Sequence, residues 1–336
     1  MLSKGMLILI AGAVSIAVLF AAFVLWYMPG EQEGLRTIIV VRNPPALDDV
    51  WESFRARLAD LGYRDGENIL FIETDVSDDF TETKNRISPL LKREDVDLVF
   101  TMGISSTRAA KEVADALRID TPVLFAVVSD PVGAGLVASM KRSGNNLTGV
   151  TPSNELVASK RLEFLKEMIP GVRRIVYAWN DEKTSGVDGL RRVAPSFSLD
   201  LVERRVDNVS EMLAYLGSFS YREGDALLRA SDAIGAGGLH PLIDMALEKG
   251  IPLVGTNEGD VVRGALMSYG ADYEEIGRQA ARMADGILGG VVPADLPIEE
   301  ATRFELSVNL DTATKIGVAV PRSFLMKAHN VIAEKD

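Results

Sequence analysis

Hydroxyls and carboxylates, rather than thiols or imidazoles, carry the chemistry available to this chain. Its 336 residues include no Cys and only two His, His240 and His329. Without Cys there are no disulfides, thiolate metal sites, Cys nucleophiles or acylated Cys anchors. One distant pair of imidazoles is a poor start for a zinc site or a His-dependent triad. What remains is a set of small polar clusters, each following a β-rich run. Gly103, Ser105 and Ser106 follow Asp97–Thr101 (DLVFT), Ser129-Asp130-Pro131 follows Thr121–Val128, Ser231-Asp232 follows Ala226–Ala230, and Asn257-Glu258 follows Pro252–Gly255. A Gly with two hydroxyls at a helix start can receive a carboxylate through free N–H groups and the positive end of the dipole. The same Ser residues can equally be ordinary N-caps. Asp130, Asp232 and Glu258 can each face a ligand ammonium or cap the next helix; acting together they would favour a ligand that carries a cation.

Other chemistries find little support. Gly235, Gly237 and Gly238 follow no first strand and lack the G-x-G-x-x-G spacing, and the first turn, Val41-Arg42-Asn43-Pro44-Pro45, has no Gly. Both observations argue against a dinucleotide site. No G-x-S-x-G, H-E-x-x-H or Walker A string occurs. His240 reads as a loop or helix-start residue and His329 as a face residue of a last helix. The acid pairs Asp48-Asp49, Asp78-Asp79 and Glu274-Glu275 read as solvated faces or loops. A net charge of −12 argues against nucleic acid as a partner. Neither a cofactor, nor a metal, nor a catalytic residue is expected.

The elements that must position these clusters are short apolar runs alternating with amphipathic stretches. Thr37–Val41, Asn68–Glu73, Asp97–Thr101 and Thr121–Val128 read as strands, with helices around 47–61, 81–91 and 105–117. A second set begins near Ser153: helix 156–168, then the strands 174–179, 200–206, 226–230 and 252–255 with helices between them. Continuous apolar strands of this kind indicate parallel sheets covered on both faces. The fold class expected is α/β, with two doubly wound lobes. Strands at 265–269 and 304–309 and helices at 273–288, 312–316 and 323–332 are too few for a third lobe. They must return to sheets already made, which implies a multi-crossover hinge. The boundaries expected are 36–151 plus about 266–305 for lobe I, and 152–265 plus about 306–332 for lobe II.

Ahead of the lobes, Met6 to Met28 is an uncharged run whose one plainly polar residue is Ser15. As a helix it would measure about 34 Å, enough to cross a bilayer core of about 30 Å. It ends in Trp26-Tyr27, which suits a membrane boundary; a long signal peptide is the alternative. Lys4 precedes it, and Glu31 and Glu33 follow it within a stretch, 29–35, that reads as a linker. The expected placement is a single pass through the cytoplasmic (inner) membrane, with the C-terminal bulk in the periplasm or extracellular space.

Several strings are familiar together. Ser129–Ser139 (SDPVGAGLVAS), Gly144–Val150 (GNNLTGV), Gly264–Tyr273 (GALMSYGADY), Gly277–Ala281 (GRQAA) and Ala294–Glu299 (ADLPIE) occur in order, followed by Asn309-Leu310, Thr312-Ala313, Ile316-Gly317 and Pro321. The chain thereby resembles, from about Arg36 to Ile332, the bacterial ABC-transporter substrate-binding protein family that includes tryptophan- and tyrosine-binding components. The resemblance implies a type I periplasmic-binding-protein fold with three crossovers and a small solute clamped between the lobes. It also implies handover to an ABC permease and its ATPase rather than catalysis. Gly103, Ser105 and Ser106 fall at the family's G-[TS]-x-A helix start, Ser129 and Asp130 in its S/T-D-P-V turn, and Asp232 where T-D-N is usual. Glu258 and Tyr269 align with later cleft loops. Ser231-Asp232-Ala233, Arg42-Asn43-Pro44-Pro45 and Val76-Ser77 depart from the family pattern at ligand-facing places, so the solute, an amino acid or analogue with aromatic ones included, can differ from tryptophan or tyrosine. A membrane-anchored sensor that signals a ligand to another membrane protein is the alternative.

Overall fold

Alternate residues of Thr37–Val41 enter two different cores, so the strand they form lies inside a sheet with both faces covered. Ile38 and Val40 face one cluster, Ile39 and Val41 the other. The computed structural model describes residues 34–43, 47–77, 79–152, 154–180 and 186–333. The apolar run 6–28, most of the 29–35 linker, and Pro44, Pro45 and Ser153 lie outside them. Among the described residues no helix is long and apolar enough to cross a membrane.

The first unit runs β1 (Arg36–Arg42), α1 (Asp48–Asp60), β2 (Ile69–Asp75), α2 (Phe80–Leu91), β3 (Leu98–Met102), α3 (Ile104–Leu117), β4 (Val123–Ala126) and β5 (Leu147–Thr151). The second runs α4 (Asn154–Met168), β6 (Arg174–Trp179), α5 (Val187–Val193), β7 (Asp200–Arg205), α6 (Val209–Ser218) and β8 (Asp225–Leu228). It continues through α7 (Ala233–Gly237), α8 (Leu239–Lys249), β9 (Leu253–Gly255), α9 (Glu258–Val262) and β10 (Met267–Ala271). Then come α10 (Tyr273–Leu288), β11 (Glu299–Glu300), β12 (Phe304–Asn309), α11 (Leu310–Lys315), α12 (Arg322–Leu325) and β13 (Asn330–Ile332).

Two sheets result, ordered β11-β5-β4-β3-β1-β2 and β13-β12-β10-β9-β8-β6-β7. Every pairing is parallel except β10 with β12. The chain passes between the sheets three times: after β5, between β10 and α10, and between β11 and β12. The returning segment is therefore divided. Leu266–Ala271, expected with the first lobe, stays in the second sheet, while α10 and β11 go back to the first. Two further differences have local causes. Leu147–Thr151, whose Thr-Gly content hid it, is the strand β5, and its Gly149 is required because a Cβ there would fall on the Phe125 carbonyl. The helix expected at 323–332 stops at Leu325, and Asn330–Ile332 instead adds to β12 as β13. His329 is drawn into this pairing, donating its N–H to Leu306 O at 2.8 Å and accepting Leu306 N at Nδ1, 3.1 Å away.

Each sheet has a core on both faces. After the second crossover comes α10, which packs on the first unit and whose first turn is capped by Asp272 accepting from Glu275 N. Its buried stripe carries the small residues Gly277, Ala280, Ala281 and Ala284 among larger ones such as Ile276 and Met283, and the small ones let it lie close against α1. A Cβ on Gly277 would fall on Ser53 Oγ and Val50 O and lie 3.0 Å from Phe54 N. Tyr63 Oη also donates to Asp285 at 2.9 Å. Gly277→Val is expected to cost about 1–3 kcal/mol through overpacking, read as a lower midpoint in urea unfolding.

Candidate functional site

In parallel sheets ligands collect beyond the carboxyl ends of the strands, and here the carboxyl ends of both sheets border one cavity of ≈ 560 Å³. Lobe I contributes Asn43 after β1, Val76 and Ser77 after β2, Gly103 to Ser105 after β3, and Val127 and Ser129 after β4. Lobe II contributes Arg229, Ser231 and Asp232 after β8 and Thr256, Asn257, Asp260 and Arg263 after β9, with His240 at the start of α8. Ala271 and Tyr273, on either side of the second crossover, complete the wall. Two backbone conformations shape the lobe I side. Gly103 has φ +85°, with room for a Cβ only at 3.5 Å from Leu47 Cδ1, and turns the chain into α3 so that its first residues meet the cavity. Val127 has φ +58°, a left-handed conformation costly for a β-branched residue, and its N–H donates to Val150 O at 3.0 Å.

The lobe II wall is built around buried charge. Arg229 Nε donates to Asp260 Oδ2 at 2.7 Å, with the two side chains 7% and 3% exposed. Asp260 Oδ2 also accepts Thr256 N at 2.6 Å and Thr256 Oγ1 at 3.1 Å, while Arg229 Nη2 donates to Thr256 Oγ1. Burial penalises the Arg229 cation, but the Asp260 carboxylate together with Tyr273 and Asp232 outweighs that, and the pKa stands above the ordinary arginine value. Behind this pair lies Arg161 of α4, 5% exposed, donating to Tyr269 O at 3.1 Å and Thr256 O at 3.4 Å. Burial lowers its pKa to about 10, so it remains a cation at neutral pH. Burial also raises the Tyr273 hydroxyl, opposed by Arg229 and by a hydrogen bond with Asn257.

Of the residues singled out in the sequence, Gly103, Ser105, Ser129 and Asp232 border the cavity. Ser105 is exposed to it. Asp232 caps α7, accepting Gly235 N at 2.8 Å on Oδ1 and Asn180 N at 2.7 Å on Oδ2. The other four are placed elsewhere. Ser106 turns its hydroxyl back onto Met102 O at 2.6 Å, as helix-start Ser residues do when buried. Asp130 caps its own turn through Gly133 N at 2.7 Å. Tyr269 packs between Phe164 and Phe304, ring centroids 5.1 and 6.2 Å away. Glu258 faces a second, polar cavity of ≈ 560 Å³ that shares Asn257, Arg263, Ala271 and Tyr273 with the first.

That second cavity gathers Asp49 from lobe I and Glu258, Asp272, Glu274 and Glu305, with Arg263 and Arg303 as its cations. Asp272 and Glu305 are within ion-pair reach of Arg303, and Glu274 pairs with Arg278. Burial and the neighbouring acids raise the pKa of Glu258; burial and Glu274 raise that of Asp49, against the pull of Arg263. Sequence reasoning missed Arg229, Thr256, Asp260, Arg263 and Tyr273. One signal was available: Arg229 is a lone cation inside the apolar run Ala226–Ala230, and a buried charge requires a partner. Among the described residues no group of three or more His, Cys, Asp or Glu could hold a metal ion.

Comparison with known proteins gives this geometry a context. The sequence profile of the family described as ABC transporter substrate binding protein matches residues 37–332. A tyrosine-binding protein of Clostridioides difficile is 30% identical over 271 residues, covering 80% of this chain and 76% of the relative. The structure of the ABC domain in complex with L-Trp from Streptococcus pneumonia overlays with a TM-score of 0.80 at 22% identity, covering 89% of this chain and all of that one. The ligand-free, open structure of a substrate binding protein with adhesive properties from Clostridium difficile gives 0.68 at 26% identity, covering 90% of this chain and 100% of the other.

Two outcomes follow from the charges. Asp260→Ala leaves Arg229 buried without its anion and is expected to cost about 3–5 kcal/mol in denaturant unfolding. For Asp49, a raised folded pKa means that the fold favours the neutral acid, so stability is present at low pH and lost as pH rises through that value. Asp49→Asn should therefore melt slightly above wild type at pH 7, and the difference should shrink as pH falls to about 4.

Proposed function

The chain belongs to the ABC transporter substrate binding protein family, and on that premise we propose that it is an extracytoplasmic receptor that clamps a small amino-acid-like solute, aromatic ones included, for an ABC importer. The family is one of solute-binding proteins rather than enzymes. The observation that carries the reading is the cavity between the carboxyl edges of two sheets, lined from both lobes. Its volume falls in the range of small-molecule sites. Leu47, Val76, Ile104 and Val127 offer an apolar surface for a solute body, and Tyr273 offers an aromatic ring. The name of the tyrosine-binding relative and the L-Trp complex support an aromatic amino acid as the solute class.

The mechanism is lobe closure about the three crossovers. A ligand shifts an open–shut equilibrium only through contacts it gains in the shut state, and a solute touching both Ser105 and Thr256 gains such contacts from opposite lobes. The permease and its ATPase then receive the solute. The apolar run 6–28 would tether the receptor to the cytoplasmic membrane, with both lobes outside.

Calorimetry of the full chain in detergent against L-tyrosine, L-tryptophan, L-leucine and a sugar tests this. Saturable heat with an aromatic amino acid, together with a smaller radius of gyration in X-ray scattering, is the expected result. Ser105→Trp, which fills the cavity from an exposed position, should abolish the heat without lowering the melting temperature. Absence of binding to every amino acid would refute the solute class.

A further inference from the structure

We infer that Arg263, backed by the buried cations Arg229 and Arg161, receives the carboxylate of the solute on the lobe II wall. This deepens the amino-acid-like reading and rests on it. It reverses the polarity suggested by the acids at the strand ends. The acids bordering the first cavity are Asp232 and Asp260. Asp232 accepts a backbone N–H on each oxygen, and Asp260 is held by Arg229 and Thr256. Neither stands ready as an unengaged anion for an incoming ammonium.

The cations are in the opposite situation. Arg161 is buried against two carbonyls, with no carboxylate within ion-pair distance among the described residues. Arg229 uses one N–H on each of its three nitrogens for Asp260, Ala230 O and Thr256, which leaves two of its five donors. Arg263 forms no ion pair among the described residues and stands where the two cavities meet. An anion arriving here meets two guanidinium groups, Arg161 and Arg263, that have no carboxylate within ion-pair distance among the described residues, and a guanidinium fork suits a carboxylate.

Gly259 makes room for this placement. A Cβ on it would lie 2.8 Å from Arg263 Nη1 and 3.2 Å from Asn257 Oδ1, so the bare backbone lets the guanidinium fold over the turn after β9. The acids of the second cavity add direction. Asp49 and Glu258 repel an anion there, while Arg263 attracts it from the first cavity, where Leu47 and Ile104 can hold an apolar body.

Calorimetry of the full chain with L-tyrosine and L-tryptophan, each against its carboxamide, tests the assignment. Wild type should prefer each acid over its amide by about 10-fold or more. Arg263→Gln should weaken the acids by about 10- to 100-fold, leave the amides nearly unchanged and so remove the preference; Arg263→Lys should retain part of it. Gly259→Ala, which crowds Nη1 and keeps the charge, should weaken the acids to a smaller degree, and it decides the matter if Arg263→Gln does not fold. Equal binding of acid and amide by wild type overturns the anion assignment and leaves the amino-acid-like reading standing. A preference that survives intact in Arg263→Gln, or in Gly259→Ala where that variant decides, overturns the role of Arg263. Wild type that binds neither acid nor amide overturns both.

Discussion

A cation shut away from water must find compensating partners, an anion or well-aimed carbonyls, and the second lobe is organised around that requirement. Arg229 leaves an otherwise apolar strand end and meets Asp260 at 2.7 Å. The pair fixes more than itself, because the same carboxylate oxygen gathers Thr256 N and its hydroxyl and so sets the turn from β9 into α9. Arg161 reaches the carbonyls of Thr256 and Tyr269 from α4 and ties the ends of β9 and β10 together. A wall built this way is stiff, and stiffness gives a clamp its selectivity, since groups held in advance lose little entropy when a solute arrives.

The lobe I wall follows other physics. Its cavity surface is backbone geometry, the positive φ of Gly103 and Val127 and the first turn of α3, with hydroxyls and aliphatic groups at the edge. The two walls are thus chemically unlike. One presents charge fixed by buried partners; the other presents shape and uncharged polarity. The proposed solute, with a charged head and an apolar body, would match both.

The architecture was far more legible than the site. Runs such as Thr37–Val41 and Arg174–Trp179 are apolar at consecutive positions, which a strand covered on both faces requires, and α10 shows its stripe openly. The failures occurred where tertiary pairing overrides local signal. Leu147–Thr151 has a Gly because a neighbouring carbonyl leaves no space, and 330–332 becomes a strand because β12 offers an open edge. For the site, position along the chain identified the right strand ends but not side-chain direction. Asp130 and Asp232 have the same sequence setting and both cap turns, yet only Asp232 borders the cleft. The cations were hidden because an Arg inside an apolar run reveals that it needs a partner without revealing which one.

The way α10 rests on α1 bears on how the molecule is made. The first sheet is left without its edge strand β11 and its covering helix until residues 273–300 exist, and by then every strand of the second sheet except β12 and β13 has been synthesised. The earlier-made half is therefore not completed until most of the later one exists. Until synthesis reaches α10, the apolar face formed by Ile38, Val40, Trp51 and Phe54 lacks part of its cover, an interval in which a holding chaperone has a defined target. Loop-closure entropy also makes this long-range docking a slow step. The crossovers that join the two sheets thus also couple the completion of one half to the making of the other.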